Sequence, residues 1–157
     1  MILPGPHQPG RRAPLLALLA LLALPVVQAF AACSISSVGS ISFGNYSVFT
    51  ATQVTSTGSF SVANCQTTKR SYTATLSAGS SASFSARSMA KGSDRLQYNL
   101  YTDSAFSTVW PDTGTAVTGT GATGSSGTAK TVYGRIPAGQ DVPAGGYADS
   151  VTITISF

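Results

Sequence analysis

From Ile35 onward the chain alternates apolar side chains with small polar ones. Phe60 and Val62 alternate with Ser59, Ser61 and Ala63 up to Cys65, and Tyr72 to Leu76 repeats the pattern with Thr73 and Thr75 between. A period of two marks a strand with one buried face. Ile35, Val38, Ile41 and Phe43 mark a first extended segment before Gly44-Asn45; Leu96, Tyr98 and Leu100 set against Gln97, Asn99 and Tyr101 mark another. Val109-Trp110 reads as a short strand before Pro111, and Thr131 to Ile136 as extended again. Residues 112 to 127 are mostly Gly, Thr and Ser with almost nothing to bury, which predicts a long surface loop or hairpin connection. In the last segment Tyr147, Val151, Ile153, Ile155 and Phe157 share one parity, with Ala148, Ser150, Thr152, Thr154 and Ser156 on the other. About seven or eight strands at this spacing predict an all-β sandwich.

The first 31 residues have another composition, holding eight of the eleven leucines, five of the eight prolines and the single histidine. A polar stretch with Arg11 and Arg12 leads into a Leu/Ala run, and Ala29-Phe30-Ala31 supplies the small-x-small site of signal peptidase. Residues 1–31 are therefore expected to be a signal peptide cleaved before Ala32, leaving 32–157 as one domain. An uncleaved anchor needs roughly 20 apolar residues, more than this run supplies before Pro25. Lipoprotein processing at Cys33 fits poorly with Phe30 ahead of it. In the remaining 126 residues, 56 are Ser, Thr or Gly, which excludes a helical bundle. Seven Lys or Arg face five Asp there, too little clustered charge to indicate nucleic acid. Cys33 and Cys65 are the only cysteines, and in an exported chain they are expected to form one disulfide and no metal site.

Several strings resemble chemistry. Gly119 to Gly124 spells G-x-G-x-x-G, but a dinucleotide site needs a strand before it and a helix after it, and Ser125-Ser126-Gly127 follows instead. Ser88-Met89-Ala90-Lys91 spells S-x-x-K, which in penicillin-recognising enzymes lies on a helix of a much larger domain. Asn45-Tyr46-Ser47 is a sequon by letter. Without histidine or glutamate after residue 31, acid-base catalysis would rest on Asp94, Asp103, Asp112, Asp141 and Asp149, all in turn-like contexts. Neither an enzyme nor a cofactor is expected.

Other residues carry a family likeness. Cys33-Ser34-Ile35 leads into Ser42-Phe43-Gly44-Asn45-Tyr46. Then come Tyr98, Asn99, Tyr101 and Asp103 in L-Q-Y-N-L-Y-T-D, and Tyr133, Gly134, Arg135, Pro137 and Gly139 in Y-G-R-I-P-A-G-Q. Pro143 and Gly145 follow in V-P-A-G-G-Y-A-D before the terminal strand. In this order they resemble the spore coat protein U domain family: secreted bacterial proteins that include pilin-like subunits of archaic chaperone-usher fibres and a spore coat protein. The resemblance implies an immunoglobulin-like Greek-key sandwich lacking its final strand. It implies completion by a strand from a periplasmic chaperone, then from a neighbouring fibre subunit at an outer-membrane usher. Tyr147, Val151, Ile153, Ile155 and Phe157 would form one wall of the acceptor groove, and the strand from 35 to 43 the other. No nucleic acid or small-molecule substrate is implied. Cleavage after Ala31 leaves only Ala32 ahead of Cys33, too short to donate a strand that advances ~3.3 Å per residue. A subunit that accepts without donating would sit at a fibre tip or act as a lone coat protein; the alternative is a tip adhesin for a surface or glycan.

Overall fold

The computed structural model describes residues 33–66, 70–112 and 117–157; the predicted signal peptide and its cleavage site lie outside them. The described chain is all-β apart from one short 3-10 turn, Phe84–Ala86. In chain order the strands are β1 Ser34–Gly39, β2 Val54–Ala63, β3 Arg70–Leu76, β4 Ser88–Lys91, β5 Asp94–Gln97, β6 Asn99–Tyr101, β7 Val117–Gly121, β8 Thr128–Ile136 and β9 Ile153–Ser156. They form two antiparallel sheets, ordered β1-β2-β8-β6 and β7-β3-β9, and a separate β4–β5 hairpin.

Parity places the core between the sheets. Phe60 and Val62 on β2, Val132 and Ile136 on β8 and Leu100 on β6 meet Tyr72, Ala74 and Leu76 on β3, all buried. Trp110 sits among them with no exposed surface, edge-on to Phe60 at 6.0 Å. Its Nε1–H donates to Ala74 O, as a buried indole requires. Cys33 and Cys65 are bonded, closing the end of the β1–β2 ladder where Ser34 faces Ala63.

Several expectations change in detail. The segment from 112 to 127 is not all loop: β7 pairs with β3 along Arg70–Ala74. Its glycines serve close packing, since a Cβ on Gly119 would enter the Tyr72 ring and one on Gly121 would strike Cys65 Sγ. The S-x-x-K string lies on strand β4, not on the helix that penicillin-recognising enzymes carry there. The stretch around Leu96 to Tyr101 splits at Tyr98, whose N–H turns to Arg87 O, so β5 joins the hairpin and β6 the large sheet. The extended run from 35 to 43 pairs only as far as Gly39, and within Tyr147–Phe157 only Ile153–Ser156 is strand. Val109 makes a single bridge to Tyr101.

Arg87 organises one side of the core and is fully buried. Nε donates to Ser77 O, Nη1 to Phe84 O and Asn99 Oδ1, and Nη2 to Leu76 O and Trp110 O, at 2.7–3.1 Å. These bonds use all five donors of a guanidinium. Burial pushes its pKa down, opposed by Tyr98, Asp112 and Asp149 nearby.

Candidate functional site

β1 leaves its sheet after Gly39, and the chain that follows packs inward without pairing. Two gaps in side-chain volume receive it. A Cβ on Gly58 of β2 would lie 2.6 Å from Ile41, and one on Gly134 of β8 2.7 Å from Phe43. Phe43 also meets the Tyr98 ring edge-on at 5.9 Å. On the far side, Tyr147 to Thr152 runs toward β9 with one bridge, Ala148 to Ala90. Between these two segments lies a cavity of about 330 Å³. Val38, Ile41 and Phe43 line one wall and Tyr147, Val151 and Ile153 the other; Leu76, Met89, Leu100 and Val132 form the apolar base. Ile155 packs on the core beside the cavity, and Phe157 is 44% exposed.

Side-chain bonds fasten the 147–153 wall. Asp149 Oδ1 accepts from the N–H groups of Ser80 and Ser150, and Oδ2 from Tyr98 Oη at 2.8 Å. Burial, then the bond to Asp149, raises the Tyr98 phenol above its ordinary pKa. Ser77 Oγ accepts from Thr152 N–H, and Ser77 N–H donates to Thr152 O. Upstream, Gln140 bridges Gln97 through both amide atoms, and Tyr46 Oη bonds its backbone. Lys91 Nζ reaches Ala144 O at 2.7 Å.

The remaining motif residues have distinct placements. Asn99 receives Arg87, and Tyr101 and Tyr133 face each other across β6 and β8. Asp103 Oδ1 accepts from Ala105 and Ser107 N–H and Oδ2 from Thr108 N–H. Arg135 Nη2 donates to Tyr101 Oη. Gly139 turns at φ 75° just after Pro137, Pro143 O accepts from Tyr147 Oη, and Gly145 packs against the Lys91 stem. Residue patterning did not single out Gly58 or Arg87, and named Met89 only within the S-x-x-K string; a lone glycine in the β2 alternation was the available signal for the notch that takes Ile41. Among the described residues, no three His, Cys, Asp or Glu side chains gather to hold a metal.

No curated protein matches the sequence. A chain in the crystal structure of the CsuC–CsuE chaperone–tip adhesion subunit pre-assembly complex, from archaic chaperone-usher Csu pili of Acinetobacter baumannii, is 21% identical with a TM-score of 0.49. The likeness covers 80% of this chain and 39% of that one, so this chain spans well under half its length. The model of the Spore Coat Protein U domain matches residues 18–154. With the match running through both sheets and both cavity walls, the chain belongs to the spore coat protein U domain family.

Proposed function

We propose that this chain is a secreted structural subunit of a bacterial surface fibre or coat, and that its cavity accepts a strand from another chain. The observation that carries the reading is the apolar cavity between residues 38–43 and 147–153, beside two strands with free edges. Among the described residues β1 pairs only with β2 and β9 only with β3. Free edges beside an apolar base favour association through an added strand, in which main-chain hydrogen bonds give affinity and alternate side chains fill the cavity. Within this reading a periplasmic chaperone supplies the strand first and a neighbouring subunit replaces it at an outer-membrane usher. With cleavage after Ala31, the subunit accepts a strand and has none to give, which puts it at an assembly's end.

Co-expression tests the reading. Ile153→Asp, which places a charge in the cavity wall, should abolish periplasmic accumulation even with a cognate chaperone present, whereas Thr154→Asp on the exposed parity should be tolerated. A monodisperse, heat-stable monomer made without any partner strand would contradict it. N-terminal sequencing and electron microscopy of a labelled subunit address the end position: label repeated along a fibre would overturn it. The tip-adhesin reading is favoured by one observation, Phe49, which stands 95% exposed in the turn after Tyr46.

A further inference from the structure

Arg87 and Arg135 differ in the use of their donors. Every N–H of Arg87 meets a protein acceptor, whereas among the described residues only Tyr101 Oη, at 2.7 Å, accepts from Arg135. Within the described residues that leaves four of its five donors for another partner. The group is nevertheless held in place: its guanidinium lies 4.8 Å from the Tyr101 ring centroid and 5.5 Å from that of Phe106, and the two rings meet edge-on at 5.4 Å. Phe106 reaches this position at φ 56°, a left-handed conformation unusual for a bulky residue. The Asp103 carboxylate, by binding Ala105, Ser107 and Thr108 N–H, fixes the loop in that shape. Strained backbone that the surroundings hold firmly is found often at ligand clamps.

The half-buried Arg135 opens on a depression of about 420 Å³. Thr52 and Gln53, from the segment before β2, bring a hydroxyl and an amide, and Pro137 and Ala138 bring small apolar faces. It lies away from the strand-accepting cavity and shares no lining residue with it. We propose that this depression binds an acidic saccharide, with Arg135 taking its oxyanion, a carboxylate or a sulfate ester, in a fork of N–H groups. A guanidinium immobilised on aromatic faces is pre-organised for two parallel charge-assisted bonds. The hydroxyl, amide and apolar faces match sugar hydroxyls and C–H faces. The depression offers neither a second charge nor a deep apolar hole for a peptide side chain.

The secreted chain, in its partner-bound form, is immobilised and titrated with oligogalacturonate, with a sulfated galactan and with neutral galactan. At least one anionic polymer should bind, and which one does identifies the oxyanion. Arg135→Gln should weaken that binding by roughly tenfold or more, and Arg135→Lys, which keeps charge but loses the fork, by a similar factor. Phe106→Gly relieves the backbone while removing one of the two rings that hold the Arg135 guanidinium, so it should fold and still bind several-fold more weakly. Arg70→Gln removes one exposed charge elsewhere and should leave binding unchanged. Equal loss in Arg70→Gln, equal binding of the neutral polymer, or no binding of either anion would overturn the assignment.

Discussion

Arg87 is a cation with five neutral acceptors, four of them main-chain carbonyls from different parts of the fold. Lysine in its place carries three donors on one nitrogen, so at least two buried acceptors would lose their partner. Arg87→Lys should therefore cost on the order of 3 kcal/mol, read as a lower urea midpoint; an unchanged midpoint would show that the bonds do not hold the core. Patterning did not reveal this residue, because an isolated arginine beside serines has the local signature of a surface position. Asp103 yields a pH dependence. The backbone N–H groups of Ser107 and Thr108, and that of Ala105, hold its carboxyl below the usual range. Its folded pKa is depressed, so its contribution is present above the unfolded value of about 3.9 and is lost only as pH falls through the lower folded value. Amide shifts of Ala105, Ser107 and Thr108 should stay constant at pH 5 and move below about 3.9; a midpoint at or above that value would contradict the assignment.

β7 carries its packing through what its glycines lack. Gly121→Val would push side-chain atoms into the Cys65 sulfur and the nearby Val62, and should cost about 1–3 kcal/mol as an overpacked core does. Thr118→Val on the exposed parity of the same strand should change thermal stability little, and similar losses in both variants would mean that strand propensity rather than packing decides. Apolar alternation cannot disclose such a strand, because its inward positions read as nothing to bury. Where inward positions carry bulk, as at Phe60 and Val62 or Tyr72 and Leu76, the strands were legible. The β4–β5 hairpin has only Met89 facing Leu96 as an apolar pair, too little to stand out beside Ser88 and Lys91. The segment from Tyr147 to Thr152 alternates as a strand should, yet Asp149 and Ser77 divert its backbone groups to side chains. Local alternation shows which face a residue prefers, and competing side-chain bonds decide whether a ladder forms.

Taken whole, the described residues form two sheets and a separate hairpin, with a cavity at the open seam. A synthetic strand with apolar residues at alternate positions, added at 100 times its dissociation constant, should stabilise the fold by about 2.7 kcal/mol. The melting temperature should rise with peptide concentration, and a peptide with the alternation scrambled should leave it unchanged. The sulfur bridge between Cys33 and Cys65 spans 32 positions and should contribute on the order of 3–4 kcal/mol, measured as the loss in a Cys33→Ser/Cys65→Ser double variant. Its place in the ladder has a mechanical consequence. In single-molecule pulling through a handle fused ahead of Cys33, tension would, without the bridge, enter β1 at the rung where Ser34 faces Ala63 and open the β1–β2 pair one rung at a time. With the bridge at that same end, the load crosses at Cys33 into Cys65 and continues along the chain beyond it, so that residues 34–64, with β1 and β2 among them, are bypassed. A pull from the N-terminal side is thus carried by a covalent link past the whole loop between the two cysteines, and Ile41 and Phe43 stay seated against Gly58 of β2 and Gly134 of β8 while the chain is under load.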